Sequence, residues 1–370
     1  MKKTNKTDTF LLITICTLLT LGGSSLLFFP APRFSESENR LLAEKPAFTW
    51  QSLCDGSYTR GFDTYTAERV AGRRLMRGVH AATELALGKC ETGNVLFCRD
   101  GSLTKRVVAN ERIYQKNLKT IQKLTQKPTG AGCTLTVGIV PCRIDARTDI
   151  LPRLYQNDAR AALYDTLKKS LPNAISFSDI RNADQWFFTD HHWTPTGAFA
   201  AYEALGAHLG YTPHSEADFS KETVSDHFWG TTDAAAGILG VLPDKIELWR
   251  YAGDTAFRLV KDGKPAEFVG LYDFEKLQTR DGYAVFLGGN DGVLTIDLGE
   301  KDTRPTLLVI KDSFANALLP FLARHFRIVA IDPRYTSGSI DTLLADADRA
   351  LFLCGMQTLT ETALPPGLVK

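Results

Sequence analysis

Net charge is what this chain lacks. Its 43 Lys and Arg oppose 42 Asp and Glu, leaving a net charge of +1. Neither nucleic acid nor any strongly charged partner is indicated by that balance. Histidine numbers 7 and methionine 3. The 7 cysteines have no spacing that resembles a zinc site. No internal repeat and no low-complexity segment is found, which removes the repeat architectures. Gly288-Gly289-Asn290-Asp291-Gly292 lacks both a following Lys-Ser/Thr and the dinucleotide spacing, so it is not a phosphate-binding loop. What is present is core material: 44% of the 370 residues are apolar and 23% charged, enough for one large domain or two small ones.

Long apolar runs are also few. The notable one extends without a charge from Phe10 to Pro30, behind Lys2, Lys3 and Lys6. Such a run is long enough to span a bilayer, and the lysines favour a cytoplasmic N-terminus with the remainder outside. The expectation is an uncleaved membrane anchor. Gly22-Gly23-Ser24-Ser25 leaves signal cleavage and secretion as the alternative. Cys16 lies inside the run. Of the other six cysteines, Cys90 and Cys98 are a candidate pair across a hairpin, and the competing reading is a set of buried free thiols.

Beyond the anchor (1–30), a polar stretch over 31–54 reads as a stalk. A lead-in region follows at 55–130, with a helix over about 55–88, a hairpin over Gly93–Leu103 turning at Asp100-Gly101, and an amphipathic helix over Ala109–Gln126. The main domain occupies 131–370. Strands are expected at Thr134–Val140, Ala174–Phe177, Ile246–Tyr251, Ala284–Leu287, Thr306–Ile310, Arg327–Ile331 and Ala350–Leu353, with helices at Ala159–Leu167 and Thr196–Leu209. This alternation predicts an α/β fold, a parallel sheet covered on both faces.

The richest stretch chemically is Trp186-Phe187-Phe188-Thr189-Asp190-His191-His192-Trp193, followed by Thr194-Pro195. Thr194 is a good N-cap and Pro195 suits the first helical position. If the residues before them are extended, Asp190 and His192 share one side and His191 faces away. A carboxylate beside an imidazole fixes its tautomer and stabilises its protonated form, as an acid–base histidine requires. Metal binding and a purely structural cluster are the competing readings of these three residues. His208, His214 and His227 are too scattered to complete a metal site, and no metal or cofactor is expected.

The histidine's partner is sought in Thr306-Leu307-Leu308-Val309-Ile310-Lys311-Asp312-Ser313, a buried strand running into a tight turn and then a helix. A serine there stands at the carboxyl edge of the sheet, beside helix N–H groups able to hold an oxyanion. Asp190, His192 and Ser313 form a candidate triad, with Gly289 and Asn290 as candidate oxyanion donors. Trp193, Arg334 and Tyr335 are candidate substrate contacts. Each has a plainer reading: a helix cap for Asp312-Ser313, a turn for Gly288–Gly292, and a surface loop for Asp332–Tyr335.

Thr189-Asp190-His191-His192-Trp193-Thr194 resembles the signature of the DHHW family of bacterial exported proteins, which is similar to the SGNH-like proteins that O-acetylate alginate. Ser37-Glu38-Asn39-Arg40 and Asp332-Pro333-Arg334-Tyr335 extend the likeness. The resemblance implies an SGNH-hydrolase-like three-layer sandwich and the same Asp190, His192 and Ser313. The serine comes last here, opposite to the order in ordinary SGNH hydrolases, and Lys311-Asp312-Ser313 stands where Gly-Asp-Ser is usual. The implied activity is transfer or hydrolysis of O-acetyl groups on a cell-surface polysaccharide, using an unidentified acetyl donor and beside an export or acetylation complex. The rival is a non-catalytic glycan-binding or assembly protein, in which Trp186, Trp193 and Trp229 would stack on sugar rings.

Overall fold

The computed structural model describes residues 6–28, 33–35, 40–153, 155, 158–253, 256–336 and 339–369. The chain divides into two units: residues 1–89 with 234–240, and residues 90–233 with 241–370.

The first unit carries α1 (Lys6–Phe28), α2 (Ser57–Arg69) and α3 (Arg73–Ala86). The helix expected over 55–88 is broken into two at 70–72, where Gly72 takes φ +77°, a left-handed conformation that glycine adopts without penalty. In α3, Gly78 is buried, and a Cβ there would meet the Leu239 side chain at 2.5 Å, so only glycine fits. Arg77 reaches the Ala235 carbonyl at 2.6 Å. Among the described residues no helix is long and apolar enough to cross a membrane, so the expected anchor gains no support here. In α1 the apolar sequence is interrupted by threonines and by Gly22-Gly23-Ser24, and Thr14 and Thr20 turn their hydroxyls back onto the Phe10 and Cys16 carbonyls. Residues 29–30 of the expected span, and Ser37, Glu38 and Asn39 of the stalk, lie outside the described residues.

The second unit contains α4 (Glu111–Thr125), β1 (Thr136–Val140), α5 (Asp158–Ser170), α6 (Pro195–Leu209), β2 (Phe219–Phe228) and β3 (Asp244–Tyr251). It continues with β4 (Arg258–Lys261), β5 (Lys264–Pro265), β6 (Val293–Asp297), β7 (Thr306–Lys311), α7 (Ala315–Leu322), β8 (Arg327–Ile331), β9 (Arg349–Gly355) and α8 (Met356–Glu361). A seven-stranded sheet runs β5-β4-β6-β8-β7-β9-β1. Strands β8, β7, β9 and β1 are mutually parallel, while β6 pairs antiparallel with both β8 and β4. The sheet is therefore mixed, where the alternation of elements predicted a parallel one. The departure lies in the strands between 258 and 297: β4 and β5 form a tight antiparallel hairpin, and the longer segment from β5 to β6 folds into 3-10 turns at Phe274–Gln278 and Gly282–Val285 instead of a crossover helix, so β6 returns antiparallel to β4.

β7 shows why the parallel half stands in the middle. Leu307 and Val309 enter one core with side chains of α6 and α7, and Leu308 and Ile310 enter a second core with side chains of α4, α5 and α8. All four are essentially inaccessible. Each contributes roughly 1.5–3 kcal/mol of burial, and a strand covered on both faces has no room for polar alternation. Three layers result, and they carry the end of β7 to the carboxyl edge of the sheet.

Two expected strands are absent as such. Ala174–Phe177 contributes one parallel bridge, Ile175 to Gly138, and Phe177 turns away at φ +47°. Ala284–Leu287 is instead a 3-10 turn, Gly282–Val285, ending in Leu287, Gly288 and Gly289 at φ +62°, +70° and +94°. Its apolar residues are buried like those of a strand, which is why they read as one. The 95–105 hairpin forms, with Val95–Phe97 antiparallel to Leu103–Lys105. All seven cysteines are free thiols. Cys90 is bonded through its carbonyl to Phe97 N–H, which places Cys98 one residue on, and neighbours along a strand point to opposite faces. Burial pushes the Cys98 thiol up to about 11.

Candidate active site

Two loops meet at the carboxyl edge of the sheet. The first, 186–194, closes on itself through an antiparallel bridge between Trp186 and Trp193, and α6 follows with Thr194 as N-cap and Pro195 at its first turn, as the sequence predicts. Between the tryptophans the chain bends instead of running extended. Asp244 imposes much of that bend: it accepts the Phe188 and Thr189 N–H groups, each at 2.7 Å, and the Thr189 hydroxyl at 2.5 Å. Arg143 donates to the Phe187 carbonyl at 2.6 Å from the other side. Burial raises the Asp244 carboxyl despite these three bonds.

The bend, and not strand alternation, brings Asp190 to His192. Asp190 Oδ1 accepts the backbone N–H of His192 at 2.9 Å and its Nδ1 at 2.6 Å. Asp190 Oδ2 accepts the N–H and hydroxyl of Thr231 at 2.7 and 2.9 Å. Gly230 makes room for this, since a Cβ there would overlap Asp190. Burial raises the Asp190 carboxyl, but the neighbouring His191 and His192 and the bonds from His192 and Thr231 outweigh it and hold the group well below the usual carboxylate range.

The second loop begins where β7 ends. Asp312 Oδ1 accepts the Phe314 N–H at 3.0 Å, and Oδ2 accepts Gly355 N–H at 2.8 Å and the Thr358 hydroxyl at 2.7 Å. Asp312 thus ties the turn to the end of β9 and the start of α8. This sets Ser313, half-buried, with its Oγ 2.8 Å from His192 Nε2. The proton order follows from the acceptors. Ionised Asp190 can only accept, so His192 Nδ1 carries the proton, and the bare Nε2 accepts from the Ser313 hydroxyl. The structure therefore brings Asp190, His192 and Ser313 into one hydrogen-bonded line within the reach such groups need.

Aromatic rings fix the imidazole. Tyr283 stacks on His192 with centroids 3.9 Å apart and planes 4° apart, and its hydroxyl donates to the Ser313 carbonyl at 3.2 Å. Phe314 meets His192 edge-on at 5.0 Å, and Trp193 donates its indole N–H to the Phe314 carbonyl at 2.9 Å. Tyr283, Phe314, Thr231 and Asp244 all escaped the sequence reading. Each is an ordinary residue in an ordinary context, and only the fold makes it a neighbour of His192. Asp312 was in view but only as a cap.

Other candidates are placed differently. His191 does not face away: its ring lies 3.8 Å from that of His192, and its Nδ1 is 2.7 Å from the Thr231 hydroxyl. Burial and the neighbouring His192 bring it down to about 4. The ligand atoms of Asp190, His191 and His192 lie within 4.8 Å of one another, close enough to hold an ion. Both Asp190 oxygens and both His192 nitrogens are already engaged, so a metal would have to break the line to Ser313. Trp193 is wholly buried and cannot meet a substrate. The Gly289 N–H is taken by the Phe286 carbonyl at 3.2 Å. Asn290 is exposed and accepts from Asn316 Nδ2 at 3.1 Å. Among the described residues no hydrogen bond is made by the Ser313 N–H, which leaves it available as a donor. Arg334 is clasped by Asp332 through Nε at 2.9 Å and Nη2 at 2.6 Å, and Tyr335 is exposed. A small cavity of about 20 Å³ is lined by Asp190, His191 and Phe314, and also by Leu103, Lys105 and Met356.

A family model described as DHHW protein matches residues 112–331, more than half the chain and including the whole 186–194 loop and Ser313. The chain belongs to the DHHW family. Among solved structures it is similar to a DHHW family protein from Eubacterium siraeum, at 20% identity over 73% of this chain and 93% of that one, with a TM-score of 0.58. It is similar in the same degree to Bacillus cereus PatB1, at 21% identity over 72% of this chain and 97% of that one, with a TM-score of 0.57. A more distant likeness is to the O-acetyltransferase domain of Pseudomonas putida AlgJ, at 16% identity over 73% and 93%, with a TM-score of 0.44. No curated protein matches the sequence. At these identities the DHHW and PatB1 structures establish a shared fold.

Proposed function

We propose that this DHHW protein is a serine-dependent acyl-transfer enzyme of SGNH-like type that moves an acetyl group to or from a cell-surface polysaccharide. The observation that carries the reading is the unbroken line Asp190 Oδ1–His192 Nδ1 and His192 Nε2–Ser313 Oγ, at 2.6 and 2.8 Å. Ser313 Oγ attacks the acyl carbon while its proton passes to His192 Nε2. Asp190 stabilises the imidazolium so formed. The oxyanion is held by the Ser313 N–H and the Asn290 amide. Collapse expels the alkoxide, which takes the proton back from Nε2. A second hydroxyl, from sugar or water, then reverses the sequence and frees the serine; sugar makes the protein a transferase and water an esterase.

The test is turnover of 4-nitrophenyl acetate by the full chain. Ser313→Ala should remove it while leaving the melting temperature within a few degrees. Undiminished turnover in that variant would refute the serine mechanism. The glycan-binding alternative is disfavoured by the burial of Trp186 and Trp193, two of the three tryptophans it would use. The proposed location is outside the cytoplasm, with residues 10–30 retaining the chain at the membrane. Recovery of the protein in the cytosolic fraction after cell lysis would contradict it.

A further inference from the structure

Lys311 is a buried cation that the mechanism leaves unused. It is 3% exposed, two residues before Ser313. Its Nζ donates to Asn316 Oδ1 at 2.6 Å and to Asn290 Oδ1 at 3.4 Å. Asn316, on the first turn of α7, donates its Nδ2 to Asn290 Oδ1 at 3.1 Å and to the Gly289 carbonyl at 3.3 Å. The polarity of this network is fixed from both ends. An ammonium can only donate, so the Asn316 atom it meets is the oxygen. The Gly289 carbonyl can only accept, so the Asn316 atom it meets is the nitrogen. Asn290 therefore receives two donors on its oxygen, and its Nδ2 is the end left uncommitted. The turn being held is strained at Leu287, a non-glycine residue in the left-handed region, and Gly288 and Gly289 continue it there without penalty.

We propose that Lys311 is a positioning residue, which acts through Asn316 to lock the Asn290 amide with its N–H groups free for the oxyanion. The inference rests on the acyl-transfer reading above. It assigns to a buried lysine the task of orienting a donor and lending it positive charge. Groups of several elements face the ammonium: Asp312 on its own turn, Asp332 and Arg334 after β8, and Asp291 on the glycine turn. Burial dominates over these, and brings Lys311 down to about 8. Charge is thus present below that pH and lost above it.

The experiment is the pH dependence of kcat for 4-nitrophenyl acetate, measured on the full chain from pH 6 to 10. The wild-type protein should lose activity as pH rises through about 8. Lys311→Arg keeps its charge throughout, so it should retain activity and lack that alkaline limb. Lys311→Met should lower kcat roughly 10–100-fold below about pH 8, somewhat less than removal of an oxyanion donor, with KM little changed, and the difference from wild type should shrink above that pH. Asn290→Ala, at an exposed position, is the variant to use if Lys311 variants do not fold; it too should lack the alkaline limb. A limb near pH 8 that persists in Lys311→Arg or Asn290→Ala overturns the proposal, as does wild-type kcat in Lys311→Met. Turnover surviving in Ser313→Ala would instead strike the acyl-transfer reading, so the two failures are distinct.

Discussion

Asp190→Asn replaces a carboxylate that accepts four hydrogen bonds by an amide that cannot accept them all. Two orientations exist. With its oxygen toward His192, the amide keeps Nδ1 protonated but turns its NH₂ toward the Thr231 N–H, donor against donor. With its oxygen toward Thr231, the NH₂ faces both the His192 N–H and Nδ1. The backbone conflict then recurs, and Nδ1 must become the acceptor. His192 now carries its proton on Nε2, which donates to Ser313 Oγ and can no longer take a proton from it. Either orientation leaves one buried N–H unpaired, a cost of about 1–3 kcal/mol in stability. The second also removes the general base, for which a loss of about 10⁴ in kcat is the expectation in a triad of this kind. A mixture weighted toward the first orientation would lose less, but it would also lack the carboxylate charge that stabilises the imidazolium. The assay pairs 4-nitrophenyl acetate turnover with urea unfolding of the full chain. A fold weakened by about 1–3 kcal/mol and a kcat lowered by at least about 10³ is expected. An Asp190→Asn variant that keeps a tenth of wild-type kcat would refute the assignment of Asp190 as the group that fixes the His192 tautomer.

Two further substitutions probe the loop. His192→Ala should cost at least about 10²–10⁴ in kcat, while His191→Ala, which forfeits one bond to Thr231, should cost roughly 5–10-fold; the reverse order in the same assay would move the base to His191. Asp244→Ala strands the Phe188 and Thr189 N–H groups and the Thr189 hydroxyl, and should lower stability by about 2–4 kcal/mol in urea titration, with a change under about 1 kcal/mol counting against its role in shaping the bend.

Period and burial explain which parts of the fold could be read from sequence. β7 and β8 are runs of branched apolar residues covered on both faces, and their limits were legible to within a residue. α6 carries its own start signal in Thr194-Pro195. The 3-10 turn at Gly282–Val285 was not legible, because Tyr283, Ala284, Val285, Phe286 and Leu287 are as buried as a strand would be while lacking its backbone path. Burial and conformation are separate properties, and an apolar run reports only the first. The mixed sheet was missed for a related reason. The strands that reverse direction are short or half-exposed, and nothing local in Arg258–Lys261 tells which neighbour it will pair with.

The site divides along the same line. Asp190, His192 and Ser313 were legible because each is a reactive type next to a loop-to-helix signal. Yet alternation was the wrong reason for pairing Asp190 with His192. The residues bend, and the pair forms because Asp190 Oδ1 accepts the backbone N–H two residues on and the ring of the same residue. That mechanism makes no demand that His191 face away, and His191 does not: it closes the ring of contacts with Thr231, 40 positions later in the chain. The groups that hold these three residues in place, Thr231, Asp244 and Tyr283, are chemically unmarked in the sequence. They become positional only once β3, the 282–289 turn and β7 have converged on the 186–194 loop. Local chemistry therefore names the candidate reacting atoms, whereas their orientation is a property of long-range packing, and it is the orientation that Asp190→Asn and Lys311→Met are expected to disturb.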